Sequence, residues 1–215
     1  MDSSIADLRQ NYTLAGLSEA DLDSNPIQQF NLWFEQALAA DLIEPNAMTL
    51  ATATADGKPS ARIVLLKGVS EQGFVFYTNY GSQKGRQLIA NPYAALVFHW
   101  DKLERQIRIE GKVEKLSSVE SLEYFHSRPK ASQLGAWTSN QSQVIANREV
   151  LEQKLASLQA QYSDEDTIPL PEHWGGFRVV PNRLEFWQGR PSRLHDRLVY
   201  DLEADGSWSI SRLAP

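Results

Sequence analysis

The 215-residue chain predicts an antiparallel, barrel-like β-sheet with accessory helices, a mainly β fold of the α+β type. Strand-like stretches follow one another through short turns, with no helix between each pair, which argues against a doubly wound parallel sheet. Asp56-Gly57 and Asp205-Gly206 stand between such stretches and supply the positive φ that tight hairpins require. Helical spacing is confined to a few segments outside those hairpins.

Ser24-Asn25-Pro26 opens the first helix, with Pro26 acceptable in its first turn. Ile27, Phe30, Trp33, Phe34, Ala37 and Leu38 then recur at helical spacing, to about Leu42. MTLATAT and PSARIVLLKGV form a hairpin about Asp56-Gly57, and GFVFYTN (73–79) is a third strand. YAALVFHW (93–100) and RQIRIEGKVEKL (105–116) make another hairpin. Ser117-Ser118-Val119-Glu120 has capping-box form and opens a helix through Tyr124 and Phe125. A further helix covers 145–161, with Val150, Leu151, Leu155 and Leu158 as its apolar stripe, and 163–176 reads as a connecting loop. FRVVPNRLEFWQG, RLVYDLE and WSISRLAP close the chain as strands of the same sheet. Residues 1–215 therefore read as one domain, with 1–24 a partly mobile N-terminal segment.

The composition is that of an ordinary soluble globular protein. The N-terminal MDSSIADLRQ lacks the basic and apolar regions of a secretory signal, and runs such as IVLL fall far short of a membrane span. The absence of cysteine removes disulfides, thiolate zinc sites and cysteine nucleophiles. A cytoplasmic protein is the expectation. Residues 1–60 hold two bases against nine acids and the rest is near neutral, so nothing offers the basic field that nucleic acids need. The four histidines are unpaired at helical spacing, and no metal signature, GxSxG elbow or glycine-rich nucleotide loop is present.

What remains is a set of cationic clusters suited to a small anion. RIVLLK (62–67) carries a charge at each end of an apolar strand, with Arg62, Val64 and Leu66 on one face and Ile63, Leu65 and Lys67 on the other. These ends are either solvated termini or anion contacts. GSQKG (81–85) is either a plain strand-to-helix turn or a cradle of amides and one ammonium for a phosphate. Gln106, alternating with Ile107 in RQIRIEG, suits a heterocycle edge or a half-exposed strand. Arg128, Lys130 and Ser132 follow a helix end, and an arginine with a serine makes a good phosphate cup. In FWQGRPSRLHDR (186–197), Arg193, His195 and Arg197 alternate. On a strand they share one face, where they repel unless an anion sits among them, with Asp196 pointing away. Trp187 beside them is suited to stacking on a planar ligand or to an aromatic core.

Taken together, RIVLLK, FYTNYGSQKG, LERQIRIEGK, EYFHSRPKASQLGAW, WGGFRV, LEFWQGRPSRLHDR and the terminal RLAP resemble the pyridoxine (pyridoxamine) 5′-phosphate oxidase family, from about residue 9 to Pro215. The resemblance implies an FMN-binding split β-barrel and a homodimer with FMN at the subunit interface. It also implies oxidation of pyridoxamine or pyridoxine 5′-phosphate to pyridoxal 5′-phosphate, by hydride transfer from C4′ to flavin N5. Oxygen then reoxidises the flavin to give hydrogen peroxide. By resemblance, Arg62, Ile63, Val64, Leu65, Leu66 and Lys67 run alongside FMN, joined by Tyr77, Thr78, Gln83 and Lys84, while Gln106 faces the isoalloxazine. Gln83 stands where many relatives place a basic contact. Gln141, Ser142, Trp187 and Arg197 match flavin contacts from the partner subunit. Lys67, Tyr124, Arg128 and Ser132 match the substrate-phosphate cup. Arg193 and His195 match the catalytic pair over the substrate ring, and Arg9 and Tyr12 a segment that closes over the site. The alternatives are another split-barrel flavin oxidase or reductase, or a binding protein for FMN or a B6 phosphate without turnover. A second phosphate cup argues against both.

Overall fold

Nine antiparallel strands form one curled sheet in the computed structural model, which describes Ile5, residues 11–162 and residues 167–215. In chain order the strands are β1 Ala47–Ala53, β2 Pro59–Leu65, β3 Gly68–Ser70, β4 Gly73–Asn79, β5 Tyr93–Trp100, β6 Arg105–Lys115, β7 Trp174–Gln188, β8 Asp196–Leu202 and β9 Trp208–Arg212. The spatial order is β2-β1-β5-β6-β7-β4-β3, and β8 adds to β7 and carries β9. The fifteen-residue β7 organises this curl. One edge of it pairs with β4 over 174–179 and with β8 over 183–188, while the other edge follows β6. The register slips between Glu110 and Gly111 opposite Pro181, a bulge that tolerates a proline with no N–H to offer.

Helix α1 (Pro26–Ala39) plugs the curled sheet. The Asn25 side chain caps it by accepting from the amides of Ile27 and Gln28. Ile27, Phe30, Trp33 and Ala37 form its buried stripe. Phe30 meets Phe74 and Phe98 edge-on at centroid distances of 4.8 and 5.2 Å, and Trp33 meets Phe186 at 5.1 Å. Truncating Phe30 to alanine would cost about 3–5 kcal/mol by the usual cavity penalty. The helix stops at Ala39, three residues short of the expected Leu42, because Asp41 turns into the left-handed region at φ 52°.

Four further helices frame the other end of the sheet: α2 Gln83–Ala90, α3 Ser118–Ser127, α4 Lys130–Thr138 and α5 Glu149–Gln161. Ser117 and Glu120 form the expected capping box on α3. Beyond the helix end at Arg128, Pro129 caps a new helix that the sequence pattern does not announce, and its Leu134 packs on Phe125, Ile168 and Trp174. The helix expected over 145–161 begins only at Glu149. Val150 is exposed, while Leu155 and Leu158 pack on that second cluster. The single strand expected from Pro59 onward divides, because β2 ends at Leu65 and β3 turns to pair with β4.

Candidate active site

Two cations converge where β2 faces the start of α2. On β2, Arg62 shares a face with Ser60, opposite Leu50 and Thr52 of β1. Its Nη1 donates to Thr52 Oγ1 at 2.6 Å and to the carbonyls of Leu50 and Ser60, both at 3.2 Å. Its Nη2 donates to Ser60 Oγ at 2.7 Å. Lys84 lies in the first turn of α2, where the Ser82 hydroxyl caps the helix by accepting from Gly85 N. Its Nζ donates to Gln141 Oε1 at 3.0 Å and Thr78 Oγ1 at 3.3 Å. Burial lowers the pKa of both cations, and the neighbouring Arg62 charge adds to the effect on Lys84. Neither forms a salt bridge with a carboxylate among the described residues. Two partly buried cations without a counter-ion among the described residues favour an anion beside them, and guanidinium, ammonium and hydroxyl donors are the set that a phosphate such as that of FMN would need.

Lys84 opens onto a cavity of about 630 Å³ whose lining includes Ile63, Leu65, Lys67, Tyr124, Arg128 and Ser132, with Tyr77, Trp174 and Gln141 completing its walls. A smaller pocket of about 250 Å³, lined by Ser60, Arg62, Gln83, Lys84, Gln141 and Ser142, shares Lys84 and Gln141 with it as a common wall. One side of the cavity is aromatic: Tyr77 stacks on Tyr124 at 3.8 Å and 15°, and on Trp174 at 5.5 Å. Burial raises the pKa of both tyrosines, which keeps them neutral donors. The glycines of WGGFRV make this wall possible. A Cβ on Gly175 would lie 2.1 Å from the Tyr80 hydroxyl, and one on Gly176 would lie 2.5 Å from Leu116 and 2.9 Å from Tyr77.

Arg128, set at the α3–α4 junction, lines the same cavity. Its Nη2 donates to the Ser132 carbonyl at 2.8 Å, its guanidinium lies 4.7 Å from the Trp174 ring centroid, and its Nη1 is buried with no hydrogen-bond partner among the described residues. Burial lowers its pKa. An orphaned buried guanidinium nitrogen calls for an acceptor, and the cavity beside it is where one fits.

A second cluster stands on the outer face of the sheet, where Gln106 pairs with His99 and Trp187, and Trp187 with Arg197. His195 lies 4.6 Å from Trp187, and Tyr12 packs edge-on against both at 5.7 and 5.6 Å. The Arg190 amide donates to His195 Nδ1 at 3.1 Å, so the neutral imidazole carries its proton on Nε2. Gln106, Tyr12, Trp187, Arg193, His195 and Arg197 do not line the 630 Å³ cavity. One chain therefore carries two separate groups of the expected residues.

Several expectations need correction. Arg193 and His195 are not on a strand: Pro191–Arg193 is a 3-10 turn with Ser192 and Arg193 at φ 58° and 64°, and β8 starts at Asp196. The alternation that placed them on one face with Arg197 fails for that reason. Arg197 needs no bound anion, because Glu185 pairs with it and Ala214 O accepts from its Nη1 at 2.9 Å. Asp196 pairs with Arg190 and Arg212. Leu66 is core, and Lys67 lies beyond β2 with its amide donating to Val75 O. Gln141, expected to serve the partner's flavin, sits beside Lys84 of its own chain. Arg9 lies outside the described residues. Sequence reasoning missed Thr52, Ser60, Gln87 and Trp174. Gln87 was detectable at i+3 from Lys84, whereas the Thr52–Ser60 pairing emerges only from strand register.

Residues 34–162 match the family described as pyridoxamine 5′-phosphate oxidase, and residues 174–215 match the pyridoxine 5′-phosphate oxidase C-terminal dimerisation region. Proteins named pyridoxine/pyridoxamine 5′-phosphate oxidase are 63% identical in Trichormus variabilis and 64% identical in a Nostoc species, each over the whole of both chains. Among solved structures, PhzG from Burkholderia lata in complex with tetrahydrophenazine-1-carboxylic acid is 30% identical, with a TM-score of 0.89 over 96% of this chain and 100% of that one. A pyridoxamine 5′-phosphate oxidase-related, FMN-binding protein from Nostoc punctiforme shares the fold, with a TM-score of 0.69 at 20% identity over 86% of this chain and 97% of that one. With the split-barrel fold and full-length similarity in agreement, the chain belongs to the pyridoxine/pyridoxamine 5′-phosphate oxidase family.

Proposed function

We propose that the protein is an FMN-dependent oxidase that converts pyridoxamine or pyridoxine 5′-phosphate into pyridoxal 5′-phosphate, with O2 as acceptor and H2O2 as product. The observation that carries this reading is the pair of cationic cups along one groove: Arg62 with Lys84, and Lys67 with Arg128. Two anionic ligands side by side, a cofactor phosphate and a substrate phosphate, account for both. In this reading Arg62, Thr78 and Lys84 hold the FMN phosphate, and Lys67, Tyr124, Arg128 and Ser132 hold the substrate phosphate. Bound FMN supplies the acceptor for the C4′ hydride and passes the electrons to O2. The protein's share is binding and alignment, which can be worth several kcal/mol through proximity alone. Arg193 and His195 orient the substrate from the second cluster. Because that cluster and the groove are separate within one chain, the working unit is a homodimer in which each groove borrows the partner's cluster, with Gln106, Trp187 and Arg197 on the flavin side.

The test is oxygen consumption with pyridoxamine 5′-phosphate and pyridoxine 5′-phosphate, with and without added FMN. Turnover that requires FMN is expected. An FMN-loaded protein that consumes no oxygen with either compound would sink the reading. The close fold match to PhzG makes a fused-ring carboxylic acid the second candidate substrate, tested by tetrahydrophenazine-1-carboxylic acid in the same assay.

A further inference from the structure

We infer that Gln87 is a positioning residue that aims Arg62 at the FMN phosphate, an inference that rests on the FMN reading above. Gln87 follows Lys84 by three positions, so both project from one side of α2. It is buried at 8% exposure, and its Oε1 lies 2.6 Å from Thr52 Oγ1 and 2.8 Å from Ser60 Oγ. A side-chain amide oxygen only accepts, so both hydroxyl protons point at Gln87. Each hydroxyl oxygen then has only lone pairs left, and Arg62 meets them, Nη1 at 2.6 Å and Nη2 at 2.7 Å. Turning the amide over would place donors on both sides of each hydroxyl and leave the two hydroxyl protons no acceptor but the other hydroxyl, 3.5 Å away, which can serve only one of them. The direction of the relay is thereby settled: guanidinium to hydroxyls to amide.

This arrangement engages the inner edge of the guanidinium and leaves Nε–H and the second Nη2 hydrogen for a ligand in the pocket shared with Lys84. The choice of a neutral amide follows from the same physics. A carboxylate at position 87 would order the hydroxyls equally well, but it would place a negative charge behind a cation whose task is to attract phosphate. Gln87 orders Arg62 without neutralising it.

The experiment titrates FMN and riboflavin, which lacks the phosphate, into flavin-free full-length protein and follows the quenching of flavin fluorescence. Gln87→Met should raise the Kd for FMN about tenfold, the scale of hydrogen bonds to a charged group, and leave riboflavin within about twofold. Gln87→Glu should weaken FMN as well, despite keeping the acceptor. In a Thr52→Val/Ser60→Ala background, Gln87→Met should add less than about twofold, because the relay is already broken. If the methionine variant does not fold, Ser60→Ala at the half-buried end of the relay and Gln87→Glu carry the same comparison. Equal weakening of both flavins, or unchanged FMN binding where Arg62→Ala weakens it, would overturn the role of Gln87 while the FMN reading stands. Wild-type protein that binds riboflavin and FMN alike, with Arg62→Ala silent, would instead overturn that reading and the inference with it.

Discussion

Arg197 donates two hydrogen bonds to Glu185, Nε to Oε1 at 2.7 Å and Nη2 to Oε2 at 3.0 Å. Glu185 is almost fully buried and accepts a third from Arg108 Nη1 at 3.1 Å. The carboxylate is thus the keystone of the outer face of β6, β7 and β8, and it raises the Arg197 pKa further. Removing one partner of a buried pair leaves the other uncompensated. Glu185→Ala, which takes the carboxylate from Arg197 and leaves Arg108 only Glu110, should therefore cost about 1–3 kcal/mol of stability in urea denaturation. Arg197→Ala should cost less, because Arg108 still answers Glu185. Equal losses would mean that the pair is not the keystone.

The lowered pKa of Lys84 sets a pH dependence for flavin binding. In the free protein, burial and then the Arg62 charge favour loss of its proton at a pH below the ordinary lysine value. A phosphate beside it favours the protonated form. Below the lowered pKa both states hold the proton and affinity is flat. As pH rises through it, the free protein loses a proton that the complex keeps, so FMN affinity falls by up to about tenfold per pH unit. Riboflavin titrated in parallel should show no such fall, and Lys84→Gln should abolish it for FMN. A riboflavin curve that falls in step with FMN would remove Lys84 from the phosphate site.

Arg128 offers a buried Nη1 with no hydrogen-bond partner among the described residues. Charge-assisted hydrogen bonds to such a group are worth about 1.5–3 kcal/mol, so Arg128→Ala should raise KM for the phosphorylated substrates by roughly 10- to 100-fold. FMN content, read from visible absorbance, should stay at the wild-type level. Loss of flavin together with substrate affinity would place Arg128 in the cofactor cup instead.

Most strands were legible in the sequence because alternation and turn residues act locally: GFVFYTN and YAALVFHW are β4 and β5 to the residue, and Gly57 turns at φ 84°. The capping box at Ser117 was legible for the same reason. What alternation could not foresee was a break in the strand itself. Ser192 and Arg193 both adopt left-handed backbone, a costly state for side-chain-bearing residues that only tertiary surroundings sustain. The pairing of Glu185 with Arg197 was likewise hidden, since it depends on how β7 and β8 align across an edge. That Lys67 and Arg128 line one cavity was legible only through resemblance, because it depends on α4, a helix that follows a proline and gives little local signal.

The separation of Arg128 from Arg193 within one chain makes the shared-site reading testable by mixing. Arg193→Ala should lower turnover by orders of magnitude with flavin retained, and Arg128→Ala should fail at low substrate concentration. If each groove borrows its second cluster from the partner, a mixed dimer of the two variants has one site carrying both substitutions and one site carrying neither. Random reassociation of equal amounts makes half the dimers mixed, so oxygen consumption at low substrate should recover to about one quarter of the wild-type rate. If both residues serve a site within their own chain, every site in the mixture carries a substitution and no activity returns. Dilution to the monomer offers a second reading of the same geometry: flavin should be released as the dimer dissociates, and a monomer that keeps its full complement of FMN would contradict the shared site.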